Sequence, residues 1–199
     1  MSLKVTKVTD RLFQVENVFD ENIMQLVNAI DWTSLSWHRG LGQESWNRRR
    51  IDANINEVKT LSSMMVPFIE QINDILNIDI DPECVIWWLD EPGFTCGTHI
   101  DEFLPKTIQL YMISPNENLG TSFYNTVNRD DLTMIEWMSK IEQSLLVKFK
   151  SIPNTGYVML NYPETDGTTP LLWHNMNVPV PNNSIRLSCY YNLTKQKLM

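Results

Sequence analysis

Gly97-Thr98-His99-Ile100-Asp101 sets an imidazole and a carboxylate two residues apart. Side chains alternate between the two faces of an extended chain, so His99 and Asp101 point the same way and can share one metal ion. Read alone, the triplet also fits a surface turn. A third ligand must come from a strand distant in sequence but adjacent in a closed β-fold. The strand-like run Leu171-Leu172-Trp173-His174 supplies it and leaves His38 as the only other histidine. The competing reading of His174 is a buried imidazole hydrogen-bonded to backbone. Two histidines and one carboxylate form a facial triad with three metal positions open, the set associated with iron(II) chemistry rather than with closed structural zinc. A co-substrate that chelates the metal at one end needs an anchor at its other end, and a guanidinium fork is the best carboxylate clamp. Arg186 is the candidate. In Ile185-Arg186-Leu187-Ser188-Cys189 strand alternation places Arg186 and Ser188 on one face, the alternative being an outward-facing arginine on an edge strand.

Around these residues the chain from position 84 onward breaks into short β-rich runs between turn residues, over 84–90, 107–114, 121–125, 156–162, 170–174 and 185–193. Upstream, Asp20 reads as the N-cap of a helix with an apolar stripe of Ile23, Met24, Leu26, Val27 and Ile30. A second helical pattern runs from Val58 through Leu61, Met65, Ile69 and Ile72 to Leu76. Pro67 either kinks this helix or opens a new segment. The tryptophan- and arginine-bearing segment 37–51 fits neither period and reads as a loop or lid, mobile without substrate. Residues 130–150 combine helical spacing (Leu132, Ile135, Met138, Ile141, Leu145) with strand alternation (Val147, Phe149), which predicts a helical insertion leading into a strand. The expected fold is mainly β, a sandwich or barrel buttressed by N-terminal helices, in a single domain spanning 1–199 with helical support over about 1–80 and a β-core over about 84–194.

Bulk properties narrow the function classes. A length of 199 residues with 43% hydrophobic residues suits one globular domain. Sixteen Lys and Arg against 24 Asp and Glu give a net charge of -8, which disfavours a nucleic-acid partner. No apolar stretch approaches the roughly 20 residues that cross a bilayer, so no membrane partner is expected. Positions 1–10 lack a signal-peptide core, and Cys84, Cys96 and Cys189 form no CxxC pair, which together suggest reduced thiols and a cytoplasmic protein.

Taken in order, Pro92-Gly93-Phe94, His99-Ile100-Asp101, Thr107-Ile108-Gln109-Leu110-Tyr111, Gly120-Thr121-Ser122-Phe123, Pro153-Asn154-Thr155-Gly156, His174 with Pro179-Val180-Pro181, and Arg186-Leu187-Ser188 resemble the prolyl-4-hydroxylase-like branch of the 2-oxoglutarate/iron(II) dioxygenase superfamily. The likeness covers about residues 84–194. It departs from the pattern at Leu119, where a glycine is usual, and in a slightly long interval between His174 and Arg186. The resemblance implies a double-stranded β-helix (jelly roll, cupin-like) and iron(II) held by His99, Asp101 and His174, the catalytic centre. It assigns the distal carboxylate of 2-oxoglutarate to Arg186, assisted by Ser188 or Tyr111, and leaves room for ascorbate as a further cofactor. The implied reaction is hydroxylation of a small-molecule, peptide or protein substrate with release of succinate and CO2. Gln109 shares strand parity with Tyr111. Trp46, Arg48, Arg49, Arg50, Trp88 and Phe103 are candidate rim residues. Two other functions remain open at this point: a nucleic-acid demethylase of the same superfamily using Arg48, Arg49 and Arg50 on phosphates, and a non-catalytic metal-containing jelly-roll binding protein.

Overall fold

A computed structural model describes residues 2–38, 47–51, 55–101, 104–127, 131–161 and 172–193. A hairpin of β1 (Lys4–Thr9) and β2 (Leu12–Glu16) comes first, then α1 (Glu21–Ala29), the short strands β3 (Trp37–His38) and β4 (Arg48–Ile51), and α2 (Asn56–Leu76). Next come β5 (Val85–Asp90), β6 (Cys96–His99), β7 (Lys106–Ile113), β8 (Ser122–Tyr124) and α3 (Met134–Gln143). Four strands complete the described elements: β9 (Leu145–Lys148), β10 (Thr155–Leu160), β11 (Trp173–Met176) and β12 (Arg186–Tyr191). They form an eight-stranded sheet ordered β1-β2-β10-β7-β12-β5-β4-β3 and a four-stranded sheet ordered β6-β11-β8-β9, with every pairing antiparallel.

The central strands of the large sheet are covered on both faces, and strand parity sorts their side chains. Ile108, Leu110 and Met112 of β7, Val158 and Leu160 of β10, and Leu187, Cys189 and Tyr191 of β12 pack with Val27, Val58, Leu61, Met65, Ile69 and Ile72 of the helices. The opposite parity, Tyr111, Tyr157 and Met159, packs against Phe123, Phe149 and Leu172 on the small-sheet side. This inter-sheet space is the jelly-roll interior.

Asp20 caps α1, its side chain accepting from the Ile23 N–H at 3.0 Å. Of the apolar stripe, Ile23 and Val27 are buried while Leu26 faces outward. α2 continues through Pro67 as one 21-residue helix, so this proline opens no new segment. The 130–150 region resolves into α3 and β9, with Thr133 forming a capping box with Glu136. Only Ile141 of α3 is buried and Ile135 is exposed, because α3 lies on the outside of the small sheet and covers it with a narrow face.

Three expectations change. The ends of segment 37–51 are not loop: β3 and β4 extend the large sheet through β5, with Arg48, Arg49 and Arg50 in register with Asp90, Leu89 and Trp88. Residues 39–46, including Trp46, lie outside the described residues, as does the predicted mobility there. The N-terminal support is not purely helical, because β2 pairs β10 and carries the fully buried Leu12 and Val15 into the fold. β6 is a further strand beyond the predicted runs.

Two glycines of the quoted motifs mark close backbone approach. A Cβ on Gly120 would stand 1.8 Å from the Phe149 carbonyl oxygen, and one on Gly156 would stand 2.0 Å from that of Gln109.

Candidate functional site

His99 ends β6 and His174 sits on β11, and the two are direct cross-strand partners. Asp101 follows His99 by the two residues that return it to the same side. One ligand atom from each of the three lies within 4.8 Å of the others. His99 Nε2 is 3.7 Å from one Asp101 carboxylate oxygen and His174 Nε2 is 3.6 Å from the other. On the far side of each ring Nδ1 faces a backbone carbonyl, Gly97 at 2.7 Å and Leu172 at 3.2 Å. A carbonyl only accepts, so these contacts place a proton on Nδ1 and turn both Nε2 atoms toward Asp101. The three side chains thus fit a facial divalent metal ion.

Burial holds His174 down at about 4, which keeps it neutral. Burial also pulls on the more exposed His99, but the Cys96 sulfur, the Gly97 carbonyl and Asp101 outweigh it and raise His99 to about 9. A metal entering between them would displace that proton.

Several residues that the sequence did not single out position the triad. Tyr190 donates to Asp101 Oδ2 at 3.0 Å. Fully buried Asn161 donates its amide N–H to the Asp101 carbonyl at 3.0 Å and accepts from the Leu172 N–H at 3.2 Å, tying two ligand-bearing segments together. Phe123 lies against His174 with ring centroids 5.4 Å apart. Tyr190 had a legible signal, since it shares parity with Arg186 and Ser188. Asn161 had none, because its role depends on segments that meet only in the fold.

Arg186 is where alternation places it, on the interior face and 1% exposed. Its partners are the surprise. Nε and Nη2 reach Asp90 Oδ2 at 2.7 and 2.6 Å, and Nη1 donates to the Leu119 carbonyl at 2.5 Å. Arg48 grips the same carboxylate through Nε at 2.5 Å and Nη2 at 3.2 Å. Arg48, Asp90 and Arg186 are register neighbours on β4, β5 and β12, so the three form one lateral row across adjacent strands. Burial raises the Asp90 carboxyl, but the two guanidinium groups outweigh it and hold the group ionised. Two cations against one carboxylate leave the row with net positive charge. Beside it, the Ser188 hydroxyl is buried without a hydrogen-bond partner among the described residues. A net cation and an orphaned donor on the same interior face fit the far carboxylate of a dicarboxylic 2-oxo acid.

Tyr111 donates to Thr121 Oγ1 and accepts from the Thr121 N–H, both at 3.0 Å, while Gln109 accepts from the Tyr157 hydroxyl at 2.5 Å. Both therefore line the interior. Trp88 is half-buried beneath Arg48, and Phe103 falls outside the described residues.

No protein-family model and no curated protein matches the sequence. Solved structures do match in shape. A prolyl hydroxylase from Trichoplax adhaerens, in complex with a hypoxia-inducible-factor oxygen-degradation-domain peptide, aligns with a TM-score of 0.61 at 14% identity over 95% of this chain and 86% of that one. The viral collagen prolyl hydroxylase of Paramecium bursaria Chlorella virus-1, in its 2-oxoglutarate complex, gives 0.54 at 14% identity over 91% and 93%. HygX from Streptomyces hygroscopicus, with nickel and 2-oxoglutarate bound, gives 0.56 at 8% identity over 90% and 81%. With a mainly β core in two antiparallel sheets and the triad on β6, β11 and the turn after β6, the chain has the jelly-roll fold of the prolyl-4-hydroxylase-like 2-oxoglutarate/iron(II) oxygenases.

Proposed function

We propose that this chain is a 2-oxoglutarate- and iron(II)-dependent oxygenase that hydroxylates a peptide, protein or small-molecule substrate. The observation that carries the reading is the convergence of His99 Nε2, His174 Nε2 and the Asp101 carboxylate on one point, in a fold whose facing sheet presents a buried net-cationic row. His99, Asp101 and His174 would hold the iron, and Arg186, Ser188 and Tyr111 would form the recess for the second carboxylate of the co-substrate. When bound, the pair supplies oxidative decarboxylation of 2-oxoglutarate to succinate and CO2 coupled to hydroxylation of the substrate. The chain's own part is to orient the ligands through the Gly97 and Leu172 carbonyls, to fix the Asp101 carboxylate with the Tyr190 hydroxyl, and to keep water from the interior with Phe123, Tyr111 and Tyr157.

The nucleic-acid reading is the weaker one. Arg48 and Arg49 already pair with Asp90 and Glu91, so the three-arginine run is not a free strip of phosphate contacts, and the net charge of -8 opposes a polyanion.

The test is succinate formation by the purified full chain with iron(II), 2-oxoglutarate and oxygen, with metal content read by elemental analysis. Wild type should bind one metal per chain and form succinate, while His99→Ala and His174→Ala should lose both. Full metal content in both variants, or no succinate from the iron-loaded wild type, would sink the proposal.

A further inference from the structure

Cys96 and His99 stand three positions apart on β6, a spacing that puts two side chains on opposite faces of a regular strand. Here they share a face. Cys96 Sγ is 3.7 Å from His99 Nδ1, and their cross-strand partners on β11, Met176 and His174, are only two positions apart. β6 therefore carries one extra residue at Gly97-Thr98, a β-bulge, and this bulge returns His99 to the interior. Continuing the regular pairing from Met176 and Cys96 without it would set Thr98 opposite His174 and turn His99 out toward α3, because a one-residue slip moves a side chain to the other face. Steric crowding does not fix the bulge, since a Cβ added at Gly97 would meet nothing within 4 Å.

What does hold it is a row of polar side chains on the outer face of the small sheet. Thr98 Oγ1 donates to Glu142 Oε1 of α3 at 2.8 Å and accepts from Asn175 Nδ2 at 2.9 Å. Asn175 Oδ1 accepts from the Tyr124 hydroxyl at 3.1 Å, so the row crosses β6, β11 and β8 behind His99 and His174. Asn175 is 2% exposed, and a buried amide that loses a partner is left desolvated and unpaired. In the regular register Thr98 would point into the interior, both of its bonds would break, and the Asn175 N–H would be stranded. Resting on the metal site proposed above, we propose that Thr98 and Asn175 are positioning residues that lock the β6 bulge and thereby keep His99 within reach of the metal shared with Asp101 and His174. Fixing a register is the best-attested use of buried polar groups. Glu142 is exposed and contributes less, since water competes for its bond.

The experiment titrates the full chain with nickel by calorimetry and, in parallel, loads it with copper(II) for electron paramagnetic resonance, whose nitrogen hyperfine pattern counts imidazole ligands. Wild type should bind nickel and show two imidazoles. A wild type that binds neither metal would overturn the metal site itself rather than the lock. Thr98→Val keeps size and β-branching but removes the hydroxyl. It should lower nickel affinity about 10- to 100-fold, with a one-imidazole copper signal appearing. Thr98→Ser keeps the hydroxyl and should stay within about threefold of wild type. Asn175→Leu should match Thr98→Val, and the double variant should lose no more than the larger single loss, because the two side chains form one unit. Urea unfolding of the metal-free chains checks that each is fully folded under the binding conditions, so that an affinity loss reports the ligands rather than unfolding. Wild-type affinity with two imidazoles in Thr98→Val, or an equal loss in Thr98→Ser, would overturn the inference.

Discussion

Tyr190 ties the metal site to the large sheet through a single hydroxyl, donated to Asp101 Oδ2 at 3.0 Å. Outer-shell groups of this kind typically carry 10- to 100-fold in metal affinity, because they hold the ligand carboxylate in one orientation. Tyr190→Phe keeps the ring and its packing, so metal affinity should fall by about that factor while stability changes by less than about 1.5 kcal/mol. Parallel metal titration and denaturant unfolding would check both halves. Equal metal affinity in the variant would show that Asp101 is held by Asn161 and the backbone alone. Arg186 presents the opposite case, a charge whose removal is felt in the fold. Asp90 is fully buried, and without Arg186 it keeps only Arg48 as a charged partner among the described residues. Breaking a buried pair by deleting one member costs about 3–5 kcal/mol, so Arg186→Ala should lower unfolding stability toward the lower end of that range. Urea unfolding measures it, and a loss under about 1 kcal/mol would mean that Arg48 alone suffices for Asp90.

At the scale of elements, Gly120 is the position where one methyl group has nowhere to go. A Cβ there would sit 1.8 Å from the Phe149 carbonyl oxygen and 2.9 Å from the Ser151 nitrogen, both backbone atoms that cannot rotate away. The same stretch carries Leu119, whose carbonyl receives Arg186, and Thr121, which is bonded to Tyr111. Gly120→Ala should therefore cost about 3 kcal/mol or more, the upper range for overpacking, and should displace the Arg186 contact with it. A thermal melt within 2 °C of wild type, on the roughly 2–4 °C per kcal/mol of a chain this size, would refute this. The turn chemistry of these elements could be read from the sequence because it is local: Asp20 before α1, the parity of Arg186 and Ser188, and the two-residue step from His99 to Asp101. What stayed hidden depended on partners far away in the chain. Positions 4–16 carried no strand expectation, since the β1–β2 hairpin forms an edge of the large sheet and buries chiefly Leu12 and Val15. Arg48 read only as one of several candidate rim residues because nothing nearby in sequence announces Asp90, which it meets across a strand pairing between β4 and β5. The expectation that Arg186 faces inward had a physical basis in the apolar strand around it, but the identity of its carboxylate partner could only come from the register of β12 on β5.

For the molecule as a whole, the division of labour between its sheets gives the last prediction. The small sheet and the turn after β6 carry the metal ligands, while the large sheet carries the Arg48–Asp90–Arg186 row, with α1 and α2 packed on the outer face of the large sheet and α3 on that of the small one. A divalent metal would tie β6 to β11, which already pair. A 2-oxo dicarboxylate reaching from that metal to the cationic row would tie one sheet to the other. Binding to the folded state alone stabilises by about 2.7 kcal/mol at 100 times the dissociation constant, which for a chain of this length corresponds to roughly 5–10 °C in melting temperature. Oxygen-free melts should therefore rise by about that much with saturating nickel, and rise again when 2-oxoglutarate is added to the nickel-loaded protein. 2-Oxoglutarate without metal should do little, because its chelating end then has no partner and its single remaining contact must offset the loss of its own freedom. His99→Ala should abolish both steps, which separates site binding from non-specific effects of divalent ions on an acidic protein. A full 2-oxoglutarate shift in metal-free wild type, or an equal shift in His99→Ala, would mean that the dicarboxylate binds somewhere other than between the two sheets.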